Sequence, residues 1–118
     1  MSTVALDFDG VLSNYTGWHG HSAPLDPPVD GAMQAIRDYQ DAGFEVVIYT
    51  TRADSAKSVQ RIIDWLKEWG LETHRVNKID ITSLKPPAVM YIDDRAFCFR
   101  GIFPCVETIR NFKTWKGL

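Results

Sequence analysis

At 118 residues the chain has room for one domain with a real hydrophobic core, and too little for two. A hydrophobic fraction of 45% and a charged fraction of 24% exclude disordered and fibrous classes. A net charge of −2 gives no electrostatic footprint for duplex nucleic acid, but is silent on a short phosphorylated ligand.

The start of the chain runs directly into a strand-like segment, with no basic leader and no apolar span of membrane length, so a soluble, cytoplasmic protein is expected. Two cysteines, Cys98 and Cys105, form no C-x-x-C pair. Zinc and dithiol redox chemistry therefore lack support, and buried reduced thiols are expected.

Taken in order, Thr3 to Phe8 reads as a first strand, almost continuously apolar as in a sheet covered on both faces. Residues 13–29 lack any period and carry Gly17, Gly20, Pro24, Pro27 and Pro28, which predicts a long loop of the kind that carries function. Asp30 is placed to cap a helix with Met33, Ile36 and Tyr39 inward, ending at Gly43. Phe44 to Thr50 is a second strand, rich in β-branched and aromatic residues. Asp54 or Ser55 caps the next helix, whose inner face is Val59, Ile62, Ile63 and Leu66, with Trp65 and Trp69 beside it and Gly70 as its stop.

Leu71 to Val76 is expected as a short third strand with His74 in or near it, Ala88 to Ile92 as a fourth, and Ala96 to Phe99 as a fifth at an edge. Pro104 opens a final helix striped by Val106, Ile109, Phe112 and Trp115. Alternating strands and helices predict a parallel α/β sheet covered on both faces. One connection is thin: Asn77 to Pro87 is barely enough chain for a parallel crossover.

The chemistry gathers at strand ends. Asp7 and Asp9 close the first strand, one residue apart and so on one face, where two like charges crowd each other. Thr50, Thr51 and Arg52 close the second strand, and Asp93 and Asp94 the fourth. In open α/β sheets ligands sit beyond the carboxyl ends of the strands. Four converging carboxylates demand a cation, and oxygen donors suit Mg2+, which keeps waters and also holds a substrate phosphate. Each piece alone has a plainer reading: a short acidic pair as a cap or turn, Asp93-Asp94 as a turn paired with Arg95, Thr50 as an ordinary strand residue.

Together these residues resemble the haloacid dehalogenase (HAD) superfamily of phosphohydrolases and phosphotransferases. The first motif of that family, an apolar strand followed by D-x-D-G-[TV]-[LV], is matched by Val4 to Leu12. The second, a strand ending in Thr or Ser, is matched by Val46 to Thr50, and the fourth, a strand ending in paired acids, by Tyr91 to Asp94. The third, a lysine upstream of the fourth, has two candidates: Lys85, followed by Pro86 and favoured, and Lys78, at a more usual spacing.

The resemblance implies a three-layer Rossmann-like fold with about five mainly parallel strands in the order 5-4-1-2-3. It implies Asp7 as nucleophile forming an aspartyl-phosphate, and Asp9 as general acid and base. Mg2+ would be held by Asp7, the carbonyl of Asp9, and Asp93 or Asp94. Thr50 would hydrogen-bond the transferring phosphoryl group, Lys85 would neutralise charge, and Gly10, Thr51, Arg52 and Lys78 would lie around the phosphate.

No segment is long enough for the cap domain such proteins often carry, so the resemblance implies a capless member acting on a small phosphorylated metabolite, a nucleotide or sugar phosphate. Its site would be open unless the 13–29 loop or a second subunit covers it. Tyr15, Trp18, His19 and His21 in that loop either contact the leaving group or face solvent; His19 and His21 alone are too few for a transition metal.

Two alternatives stand beside this reading. One is a phosphatase of nucleic-acid ends using a local patch of Arg52, Lys57, Arg61, Arg95 and Arg100; the other is a non-catalytic phosphate- or magnesium-binding module, which would have no need of Asp9. A response-regulator receiver is excluded by the order of its acids and threonine along the chain.

Overall fold

The computed structural model describes residues 2–117. Four strands form one parallel sheet: β1 (Thr3–Leu6), β2 (Glu45–Tyr49), β3 (Asp80–Thr82) and β4 (Met90–Ile92), in the order β3-β2-β1-β4. The registers pair Val4 with Val46 and with Met90, and Ile48 with Ile81. Helices α1 (Ala32–Asp41), α2 (Ala56–Glu68), α3 (Thr73–Val76) and α4 (Val106–Arg110) complete the regular structure. Among the described residues no helix is long and apolar enough to cross a membrane.

Several boundaries differ from the sequence expectation. Leu71 to Val76 is not a strand: Thr73 to Val76, with His74, coil into α3, and the third strand forms later, at Asp80–Thr82. Local turn formation, with the Val76 amide donating to the Glu72 carbonyl and the Asn77 amide to the Thr73 carbonyl, takes precedence over the β propensity of this short run. Ala96 to Phe99 forms no strand, so the sheet has four strands and not five. Gly31, in the left-handed region at φ 83°, occupies the cap position of α1 in place of Asp30. Ser55 caps α2 by accepting from the Ser58 amide at 3.1 Å.

The sheet order explains the layering. The chain moves from β1 through α1 to β2 and through α2 to β3 in one direction, and right-handed crossovers then put both helices on the same face. That face carries Leu6, Val46 and Ile48, packed on Met33 and Ile36 of α1 and Ile62, Trp65 and Leu66 of α2. Trp65, read from sequence as flanking the inner stripe, is inside it, while Trp69 is exposed.

The return from β3 to β4 takes only Ser83 to Val89, without a helix. Every buried helical residue belongs to the core on the first face, so the second helical layer of the expected three-layer arrangement is absent among the described residues. The helix expected after Pro104 is short, its Val106, Ile109 and Phe112 are exposed, and Cys98 and Cys105 are exposed free thiols, not buried ones.

Leu66 is fully enclosed between α2, the sheet and Leu71. Leu66→Ala should therefore cost about 2–5 kcal/mol of stability, read by chemical denaturation.

Candidate functional site

Because β1 lies between β2 and β4, the three polar strand ends converge. The Asp7 amide donates to the Ile92 carbonyl at 2.9 Å, carrying the β1–β4 pairing one step beyond the strands and drawing Asp7 up to Asp93 and Asp94. Each of these three aspartates offers a carboxylate oxygen within 4.8 Å of the others.

Three carboxylates this close are electrostatically costly. The Asp7 carboxyl is raised from its ordinary 3.8 to about 7, first by burial, then by the charge of Asp93 and by Asp94, against the lowering effect of the Phe8 amide. That amide donates to Asp7 Oδ1 at 2.8 Å. Asp94 Oδ1 is buried with no hydrogen-bond partner among the described residues. Asp93 Oδ1 accepts from the Arg95 amide at 2.7 Å, closing a turn that holds its carboxylate. An all-oxygen donor set with an orphaned buried oxygen fits a hard divalent cation.

Gly10 makes the packing possible. Its φ of +83° is open to glycine at little cost, and a Cβ there would lie 2.1 Å from Asp94 Oδ2. The Gly10 carbonyl accepts from Trp115 Nε1 at 2.7 Å, so the chain after α4 returns to brace the loop. No sequence signal pointed to this: Trp115 read as the end of a helical stripe.

Asp9 turns away from the three-carboxylate group. Arg52 Nε donates to both of its oxygens at 2.8 Å, and the guanidinium in turn lies 5.0 Å from the centre of the Trp18 ring. Thr50 is buried, and its hydroxyl oxygen accepts from the Arg52 amide at 3.2 Å, leaving the hydroxyl proton free to donate. Thr51 is exposed beside Asp9 and Arg52 at the mouth of a cleft.

The lysines fall elsewhere. Lys85 holds its ammonium 4.6 Å from the centre of the Tyr91 ring, over the body of β4 and beside Val47 and Asp80. Lys78 lies next to Glu45, His74 and Arg75, around the amino ends of β2 and β3 and so at the opposite end of the sheet from the aspartates. The structure thus brings together Asp7, Asp93, Asp94 and Gly10, with Asp9, Thr50, Thr51 and Arg52 alongside. It leaves both lysines out, because the short Ser83–Val89 return gives Lys85 no helix end from which to reach the site.

The 13–29 loop is ordered by contacts that the sequence did not reveal. Leu12 and Asn14 pair with Val29 and Pro27, leaving residues 15–26 as a flap. Trp65 Nε1 donates to the Asp26 carbonyl at 2.9 Å, the Thr16 hydroxyl donates to the Asp26 carboxylate at 3.2 Å, and the Arg61 guanidinium donates to the carbonyls of His21 and Ala23. Arg61→Ala should free the flap: cleavage within residues 15–26 in limited proteolysis should quicken by about tenfold, with the melting temperature of the core moved by less than about 3 °C.

No family model matches the chain, and no curated protein matches it. Among solved structures it is similar to a conserved protein of Bacteroides thetaiotaomicron, at 20% identity and a TM-score of 0.59 over 98% of this chain and 95% of that one, a likeness of fold.

Proposed function

We propose that the chain is a magnesium-dependent phosphomonoester hydrolase working through an aspartyl-phosphate. The observation that carries this reading is the group of Asp7, Asp93 and Asp94, with Asp7 half-buried and Asp94 Oδ1 unpartnered. A receptor for a cation alone would not need Asp9, Thr50 and Arg52 arrayed beside it.

Asp7, Asp93 and Asp94 would hold Mg2+, which when bound offsets the crowded negative charge and polarises the phosphoryl oxygens. The Asp7 carboxylate attacks phosphorus as the bond to the ester oxygen breaks, and that oxygen takes a proton from Asp9. Asp9 then removes a proton from water, whose oxygen attacks the same phosphorus; the acyl–phosphate bond breaks, releasing phosphate and restoring Asp7. Arg52, paired with the Asp9 carboxylate in the free protein, would turn its charge to the transferring group, leaving Asp9 free to carry the proton. Thr50 donates its free hydroxyl proton to a phosphoryl oxygen. No step is assigned to Lys85 or Lys78.

The direct test is phosphate release from a generic phosphomonoester and a panel of sugar phosphates and nucleotides. Release should require Mg2+, stop with a chelator and resume when the ion is returned. A fluoride complex of beryllium or aluminium should bind wild type and fail to bind Asp7→Asn. Release that persists undiminished in chelator would overturn the reading.

A further inference from the structure

A cleft of about 180 Å3 is lined in part by Asp9 and by none of the three grouped aspartates. The flap supplies one wall through Tyr15, Trp18 and His21, and the start of α2 supplies the other through Ser58 and Arg61, with Asp54 just before its cap. The wall is built, because Arg61 and Trp65 tie the flap to α2 through three of its backbone carbonyls.

The lining is mostly polar, and several of its groups make no hydrogen bond with the described residues. Among the described residues the side-chain polar atoms of Tyr15, His21, Thr51 and Asp54 have no hydrogen-bond partner. The Ser58 hydroxyl accepts from Ser55 at 3.1 Å and keeps its own proton to give. The set mixes donors and acceptors around a space slightly larger than the roughly 150 Å3 cavity that holds a benzene ring. An apolar guest of that size would strip water from these groups and return nothing, at a cost for each one left unpaired. Hydroxyl groups both donate and accept, so a ring or short chain bearing several of them matches the lining.

We infer that this cleft receives the leaving group, and that the substrate is the phosphate ester of a small polyhydroxy compound about one sugar ring in size. The inference rests on the phosphatase reading, in which Asp9, part of the cleft's lining, protonates the departing oxygen. A nucleoside has more rings than the space holds, so its base would lie outside and add little.

The test compares kcat/KM, with Mg2+, for ribose phosphate, a hexose phosphate, a nucleoside monophosphate and methyl phosphate, whose leaving group is too short to fill the cleft. The same proteins are followed by the Trp18 indole N–H signal in NMR. Wild type should prefer the sugar phosphates over methyl phosphate by at least about tenfold and gain less than about threefold from the base. Ser58→Leu fills the cleft while keeping the backbone amide that Ser55 caps, and should cut the sugar-to-methyl phosphate ratio at least about tenfold. Asp54→Ala should lower it in the same direction. Sugar phosphate should shift the Trp18 signal in wild type and not in Ser58→Leu. An unchanged ratio in both variants, or a nucleotide preferred at least about tenfold over ribose phosphate, would overturn the inference. If no ester is hydrolysed, the phosphatase reading fails by itself. The indole titration then decides the cleft: a shift lost in Ser58→Leu supports it, and no shift overturns it.

Discussion

Asp7→Asn is expected to bring Mg2+-dependent phosphate release to background, a loss of at least about 10^4-fold, because an amide oxygen is too poor a nucleophile to form the acyl phosphate. The same substitution should stabilise the metal-free protein above neutral pH. In the fold the Asp7 carboxyl titrates near 7 against an ordinary 3.8, so between those values the folded chain holds a proton that the unfolded chain has lost. Stability must then fall as pH rises from about 4 to about 7, and level off above. Metal-free wild type should melt several degrees lower at pH 8 than at pH 5, Asp7→Asn should flatten that decline, and added Mg2+ should restore wild type most at the higher pH. If the melting temperature of the metal-free protein is independent of pH across that range, the crowding of Asp7 by burial, Asp93 and Asp94 is not as described.

Gly10→Ala should be the most damaging single methyl addition in the chain. It forces a side chain into the left-handed region at φ +83°, worth about 1–2 kcal/mol, and drives a Cβ to 2.1 Å from Asp94 Oδ2. The carboxylate has to leave, taking with it one of the three oxygens of the acid group, so the expected result combines two losses. Stability should drop by about 2–4 kcal/mol in denaturant, and the Mg2+ concentration for half-maximal activity should rise at least about tenfold. Gly20→Ala makes the comparison, since its φ of +99° carries similar strain with no atom within 4 Å. Equal effects at the two positions would mean that Asp94 is not what Gly10 accommodates.

The legible part of the molecule was its strand ends. Asp7, Thr50, Asp93 and Asp94 follow apolar runs directly, and a parallel sheet places every such end on one side. The second strand could be read because it carries its own β-branched pattern and is buried on both faces. The third could not: Asp80–Thr82 has one apolar residue and owes its form to pairing with Val47, Ile48 and Tyr49, a contact that local sequence does not encode. Leu71 to Val76 misled for the converse reason: its two apolar ends, Leu71 and Val76, are buried equally well by one helical turn between them.

Within the site, identities were legible and partners were not. Arg52 was expected around the phosphate, yet it grips Asp9. That both lysines fall outside the site was not legible, since it depends on the short Ser83–Val89 return for Lys85 and on the opposite end of the sheet for Lys78. Trp65, Arg61 and Asp26 order the flap through backbone carbonyls, which leave no trace in side-chain pattern.

The placement of β1 has a consequence for how the protein comes into being. The first of the four strands along the chain is an inner strand, bonded to β2 on one side and, on the other, to Met90–Ile92. Until that late segment emerges, β1 keeps one row of amides and carbonyls unpaired, an invitation to association with other chains. Asp7 meanwhile has neither Asp93 nor Asp94 beside it. The acid group is therefore completed only by the last of the four strands, after the segments that build most of the core have been made.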